Sequence, residues 1–309
     1  VCEGKTPSEI LDISVADIAC GSGIFLEEAF AYLQDYCVQW YINNGQTDHL
    51  IETGLDLYKL PLQEKKDILC SCIYGIDIDI HAVEVAKFSL LIKLIEDQTA
   101  PSLVEVVPIL PDLGDNIQFG NSIVSHSELN GINGANHQLL EIAPFDWSAI
   151  NNGCGFDVII GNPPYVNTEG MHALLPSAEV EVYKKKYKTS HKQFDKYFIF
   201  IEQAINKINE NGLVCYIVPN KFFKIGAGEK LRNLIAKERM LVSLDDFGDA
   251  QLFEDKTIYS SIILLSKAKQ TSFVYSSVDS ANKLWAGEEV SSIELNSSVL
   301  NLSLIHISE

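Results

Sequence analysis

Asn162-Pro163-Pro164-Tyr165 follows directly on Phe156–Ile160, an unbroken apolar run. Two prolines fix the backbone and remove two N–H donors, so this turn presents acceptors and a ring. Such a set suits one difficult reaction, attack by a planar exocyclic amine whose lone pair is delocalised. The Asn162 side-chain oxygen and the Pro163 carbonyl can each accept one N–H hydrogen, which draws the nitrogen toward sp³ and frees the lone pair. Tyr165 can stack on the face of the base that carries the amine. No strong base is needed, because the alkylated amine loses its proton readily. Standing alone, the turn is also compatible with a proline-rich bend and a packing tyrosine. Two constellations upstream argue for chemistry.

The first is Asp17-Ile18-Ala19-Cys20-Gly21-Ser22-Gly23-Ile24-Phe25-Leu26. Glycines after a strand let backbone approach a ligand, and the following helix offers free N–H groups to a carboxylate. A dinucleotide turn wants G-x-G-x-x-G, and Leu26 stands where its third glycine should be. Asp17 suits a cationic amino group better than a pyrophosphate, so the stretch favours S-adenosylmethionine. The second is Gly75-Ile76-Asp77-Ile78-Asp79. A carboxylate at the end of a strand can accept both ribose hydroxyls, and Asp77 is the candidate. Asp79 is expected to cap the next helix.

These groups need a scaffold that brings strand ends together. Val15–Ala19 is a short strand, and Ile24–Ile42 has helical spacing. Asn43–Lys66 is polar and turn-rich and reads as an insertion (43–70) with a helical piece near Leu62–Leu69. Ser71–Ile78 reads as a second strand carrying Cys70 and Cys72 near its start. His81–Asp97 is an amphipathic helix with apolar residues at 82, 83, 86, 90, 91 and 94. Ile117–Gly120 and Phe156–Ile160 read as strands separated by a loop-like stretch, Ser125–Asn152. A polar excursion over 166–193 follows the catalytic turn. Phe194–Ile208 and Gly226–Lys237 read as helices, and Gly212–Val218, Leu241–Phe247 and Ser260–Leu265 as strands. Alternating strands and helices predict an α/β fold, an open sheet with helices on both faces.

The order DIACGSG, GIDID, GN, NPPY resembles the gamma-class amino-methyltransferases of restriction–modification systems, specific for adenine N6. The resemblance covers Val15–Leu265 and implies a Rossmann-like, mostly parallel seven-stranded sheet with an antiparallel last strand. It implies S-adenosylmethionine held by Asp17, Ala19, Gly21, Gly23, Phe25, Asp77, Ile78 and Asn121, with Asn121 (in Phe119-Gly120-Asn121-Ser122) facing the cofactor's adenine. It implies catalysis by Asn162, Pro163, Pro164 and Tyr165 on a flipped-out adenine of double-stranded DNA. Phe194-Asp195-Lys196-Tyr197 and Ile217-Val218-Pro219-Asn220-Lys221-Phe222-Phe223 are similar to the family's later segments. Phe247-Gly248-Asp249 and the stretch to Thr257 resemble the segment that gives an aromatic ring to the flipped base, which implies Phe253. The same turn chemistry also serves methyltransferases acting on a protein glutamine amide or an RNA base. A fragment that binds cofactor or DNA without turnover is the non-enzymatic alternative.

The net charge of −19 speaks against a nucleic-acid partner, but it is unevenly spread. Residues 1–160 hold 6 Lys and Arg against 24 Asp and Glu, whereas Tyr183–Arg239 holds 13 against 5. Binding follows the local field, so Lys184, Lys185, Lys186, Lys188 and Lys192, in the excursion beside the catalytic turn, are candidate contacts to DNA phosphates. With 47% hydrophobic residues the chain can bury a sizeable core. Its apolar runs are far shorter than the ~20 residues of a spanning helix. Seven cysteines in mostly apolar stretches fit reduced, cytosolic thiols and have no zinc spacing; the resemblance implies a bacterial or archaeal cytoplasm and no metal. The expected organisation is a catalytic domain over 1–267, short of a preceding helix, and the start of a further region over 268–301. Residues 302–309 read as the translation of a sequencing-library transposon adapter and are excluded from fold reasoning. A nuclease or specificity module, on this chain or another, is an expected partner.

Overall fold

Short apolar strands alternate with helices, and this alternation builds two units. The computed structural model describes residues 1–54, 57–96, 98, 108–223, 225–251, 259–278 and 290–301. One unit takes in Val1–Ser122 and Asp146–Val158, the other Ile123–Phe145 and the chain from Ile159 onward.

In the first unit β1 (Val15–Asp17) pairs in parallel with β4 (Ile73–Asp77), and β4 with β5 (Ile117–Phe119). The first half of β6 (Phe156–Gly161) lies on the other side of β1. It is anchored there by Asp157, whose carboxylate accepts from Ser14 N and Ser14 Oγ, each at 2.9 Å. Helix α1 (Pro7–Ile10) opens on a Thr6–Glu9 capping box. Helices α2 (Ile24–Asn43), α3 (Leu62–Cys72) and α4 (Ile80–Ile95) complete the core. Of the six positions expected on the apolar face of α4, Val83, Ala86, Leu90 and Leu94 are buried and Ala82 and Leu91 half-buried, and each large aliphatic side chain that is fully buried contributes roughly 1.5–3 kcal/mol. Asp79 caps α4 by accepting from His81 N at 2.9 Å, as its type predicts.

The insertion is not shapeless. It folds as two antiparallel strands, β2 (Ile51–Gly54) and β3 (Leu57–Lys59), followed by α3. The expected strand from Ser71 is corrected here: Cys70 and Cys72 lie in the last turn of α3, and extended backbone begins at Ile73. Leu62, Lys65, Ile68, Leu69 and Cys72 are all buried, so one helical face continues to pack and overrides the local β preference.

In the second unit the order outward from β6 is β7 (Ile208–Pro219), β9 (Tyr259–Ser266), β8 (Leu241–Gln251), β10 (Ser272–Ser277) and β11 (Ser291–Asn296). Strand β9 runs antiparallel to both β7 and β8, in agreement with the expected antiparallel last strand. Among the described residues this sheet has nine strands where seven were expected, because β10 adds in parallel to the edge of β8 and β11 pairs with β10. Both are short and serine-rich; a free sheet edge recruits them through backbone hydrogen bonds, which composition does not reveal.

The excursion holds helices α6 (Thr168–Leu174) and α7 (Ser177–Lys186), after the single turn α5 (Leu139–Ile142). Helix α8 (Lys196–Lys207) is buried nearly all round, with Tyr197, Phe198, Ile199, Phe200 and Ile201 in the core. Helix α9 (Glu229–Glu238) precedes β8. Among the described residues no helix is long and apolar enough to cross a membrane.

Candidate functional site

In the first unit Asp17, Asp77, Ile78 and Asn121 lie at or just past the carboxyl ends of β1, β4 and β5, with Ala19, Gly21 and Gly23 in the turn after β1 and Phe25 in the first turn of α2. Chain direction changes after Asp17, and Gly21 (φ 53°) and Gly23 (φ 90°) take the left-handed backbone that this turn needs. A Cβ on Gly23 would stand 3.0 Å from the Ala86 Cβ of α4, whereas one on Gly21 would meet nothing within 4 Å. Gly23 is therefore required for helix packing. Gly21 leaves open space over its backbone.

Asp17 is 2% exposed, and its Oδ1 accepts from Ala19 N at 3.0 Å. Burial pushes its carboxyl up to about 7; the Ala19 N–H opposes the rise and nearby Asp77 adds to it. The two oxygens of Asp77 accept from Gly21 N at 2.8 Å and Asp79 N at 2.9 Å. Asp77 thus fixes the glycine turn from the neighbouring strand, and each oxygen keeps a further lone pair. Ile78 is 43% exposed and Phe119 45%, while Asn121 and Ser122 are buried. Ser122 Oγ donates to Ile18 O at 2.6 Å, tying the segment after β5 to the glycine turn. Sequence reasoning did not single out Ser122 or Phe119. A polar residue beside Asn121 and an aromatic ahead of Gly120 were the available signals.

These groups fit a ligand with a cationic amine, a ribose and an apolar face. The Asp17 carboxyl is buried away from the water that would stabilise its charge, Gly21 admits close approach, and exposed Ile78 and Phe119 stand at the same strand ends. Among the described residues no group of three or more His, Cys, Asp or Glu could hold a metal ion.

In the second unit β6 ends at Gly161 and delivers Asn162-Pro163-Pro164-Tyr165. Pro163 is buried; Asn162, Pro164 and Tyr165 are half-buried, so the turn retains an open side. The Tyr165 hydroxyl is in hydrogen-bonding contact with Asn162 Oδ1 and lies 2.9 Å from Ile217 O on β7. The Tyr165 ring meets the edge of Tyr197, with centroids 5.9 Å apart and planes at 80°. Tyr197 is held by its own hydroxyl, which donates to Pro219 O at 3.3 Å. Burial pushes both phenols up. Tyr197 was noted in sequence only as part of a family segment; its role as the support of Tyr165 is tertiary.

The excursion leaves and rejoins this turn at one place. Asn167 and Asp195 form a β-bridge, Lys196 N donates to Val166 O at 2.8 Å, and Thr168 Oγ1 donates to Phe194 O at 2.8 Å. The lysine cluster divides. Lys184, Lys185, Lys188 and Lys192 are exposed. Lys186 instead turns inward, pairing with Glu128 at 2.8 Å and donating to Ile123 O at 3.2 Å, so its local role is to hold α7. Lys185 pairs with Glu181 and Lys192 with Glu229 at the surface. After β7, Asn220 Nδ2 donates to the buried Asp246 at 2.9 Å, and Asp246 also accepts from Gly248 N at 3.0 Å. This pair fixes the chain just ahead of Phe253, which itself lies outside the described residues.

Residues 71–253 match the family described as Eco57I restriction-modification methylase. The chain is 42% identical over 288 residues to the Type II restriction enzyme and methyltransferase RM.Eco57I of Escherichia coli, a match covering 93% of this chain and 28% of that protein. It is 24% identical over 266 residues to the Type II methyltransferase M.BstVI of Geobacillus stearothermophilus, covering 85% of this chain and 38% of that protein. Among solved structures, the Type IIL restriction-modification enzyme MmeI in complex with DNA shares the fold, with a TM-score of 0.59 at 14% identity over 93% of this chain and 35% of that one. The chain therefore spans well under half the length of these relatives. A family match over more than half the sequence, joined to the identity with RM.Eco57I, decides the assignment: the chain belongs to the Eco57I restriction-modification methylases, methyltransferases of restriction–modification type.

Proposed function

We propose that the chain is the catalytic part of an enzyme that methylates the exocyclic N6 of a flipped-out adenine in double-stranded DNA. The single observation that carries this reading is the Asn162–Tyr165 turn, half-open at the end of β6, with the Tyr165 ring supported by Tyr197 and its hydroxyl on the Asn162 amide. S-adenosylmethionine, when bound, supplies the electrophilic methyl group. Asp17 holds the ligand's amino group, Asp77 its ribose, and Asn121 its adenine, while Gly21 lets the backbone come close. Asn162 Oδ1 and Pro163 O accept the two amine hydrogens of the target and expose the nitrogen lone pair. Tyr165 stacks on the target ring, which must leave the helix at a cost of a few kcal/mol. Phe253 supplies a second ring. Lys184, Lys185, Lys188 and Lys192 neutralise phosphates. The DNA-bound MmeI structure, sharing this fold, supports DNA as the partner, and RM.Eco57I, named as both restriction enzyme and methyltransferase, supports a nuclease module on the full-length protein.

The test is incubation of the full-length protein with methyl-labelled S-adenosylmethionine and mixed-sequence DNA, then nucleoside analysis. Label in N6-methyladenine is expected. Label confined to RNA or to protein glutamine refutes the DNA reading, and no transfer to any of these refutes the catalytic one.

A further inference from the structure

The Tyr165 hydroxyl has one proton and two oxygens within reach, Asn162 Oδ1 and Ile217 O at 2.9 Å. A main-chain carbonyl can only accept, so it never returns a hydrogen to the phenol. A side-chain amide can present either its oxygen or its NH₂, and the two ends have nearly the same shape. One arrangement satisfies all three groups at once: the phenol donates to Ile217 O and accepts from Asn162 Nδ2. The other leaves two oxygens facing each other without a hydrogen whenever the proton goes to Ile217 O.

We infer that the Tyr165 hydroxyl, oriented by the Ile217 carbonyl, sets which end of the Asn162 amide faces the target amine. The structure sets Oδ1 against the phenol; with the amide turned over so that Nδ2 meets the phenol, Oδ1 points the opposite way and serves as the acceptor. With Oδ1 kept against the phenol, an NH₂ would face the NH₂ of the substrate, and donor would oppose donor. Tyr165 then has two separable roles. Its ring touches the base, and its hydroxyl is a positioning group that acts through Asn162. The edge contact to Tyr197, itself tied to Pro219 O, keeps the ring where the hydroxyl reaches Ile217. This rests on the adenine-amine reading proposed above and assigns the Tyr165 hydroxyl, and the β7 carbonyl it meets, a part in that reaction.

A carboxylate has two equivalent oxygens and no wrong end, which makes the inference testable. Single-turnover methylation and DNA affinity are to be measured for the full-length wild type, Y165F, N162D and the double variant, with thermal melts to verify folding. Y165F retains the ring, so its DNA affinity is expected within about twofold of wild type. Its methylation rate is expected to fall about tenfold, the loss that about 1.4 kcal/mol of orientation represents. In the N162D background the same Tyr→Phe change is expected to cost less than about twofold. Full activity of Y165F overturns the inference, as does an equal loss in both backgrounds. N162D without measurable turnover also overturns it, since a carboxylate offers an acceptor in either orientation. If the wild type methylates a different planar amine, the adenine reading fails, and the same four-protein comparison on that amine still decides the role of the hydroxyl.

Discussion

Asp17 makes the sharpest demand on experiment, because its burial couples cofactor binding, stability and pH in opposite directions. The carboxyl is 2% exposed and is pushed up to about 7, chiefly by burial. An acid with a raised folded-state pKa stabilises the fold below its unfolded value, near 3.8, and that advantage is lost as pH rises through 7. At about 1.36 kcal/mol per unit, ionising Asp17 in the free protein costs at most about 4 kcal/mol. A cationic amino group placed against it repays that cost only in the ionised form. Affinity for S-adenosylmethionine should therefore fall about tenfold between pH 8 and pH 6, following the ionised fraction of a group with a pKa near 7. Asp17→Asn retains the acceptor for Ala19 N and deletes the charge. It should bind cofactor about 10–100-fold more weakly at pH 8, with no pH slope, because a charge-assisted hydrogen bond contributes roughly 1.5–3 kcal/mol. The free variant should nevertheless melt higher than wild type at pH 8 and no higher at pH 4. Calorimetric titration and thermal melts across pH 4–8.5 read both effects. Equal wild-type affinity at pH 6 and 8, or a lower melting point for Asp17→Asn at pH 8, would refute the reasoning.

Two further outcomes follow from the same geometry. Gly23→Ala puts a Cβ 3.0 Å from Ala86 Cβ at a φ of 90° and should destabilise the first unit by about 1–3 kcal/mol; a melt within 1 °C of wild type contradicts the packing argument. Replacing Lys184, Lys185, Lys188 and Lys192 together by Gln should flatten the salt dependence of DNA binding by up to about 0.9 for each phosphate that is no longer neutralised and leave the melt unchanged. Lys186→Gln should instead lower stability by about 1–2 kcal/mol by removing the cation from Glu128 Oε1, and a weaker salt slope with an unchanged melt would reverse this division.

Local structure was legible where a few neighbouring residues must act together. Asp17 with its glycines, Asp77 on the next strand, Asp79 as a cap and the Asn162–Tyr165 turn all have types and spacings that few other constraints impose, and the structure collects the first group at adjacent strand ends. The alternation of strands and helices was visible for the same reason, since periodicity records which face each element buries. Tertiary structure decided what depends on distant partners. Cys70 and Cys72 joined a helix because the face from Leu62 to Cys72 continued to pack. Strands β10 and β11 exist because β8 offered an open edge. Lys186 left the surface cluster because Glu128, 58 positions earlier in the chain, lies opposite it. The reach of the Tyr165 hydroxyl to Ile217 O spans 52 positions and ends on a backbone atom, which every residue possesses and which side-chain identity therefore cannot announce.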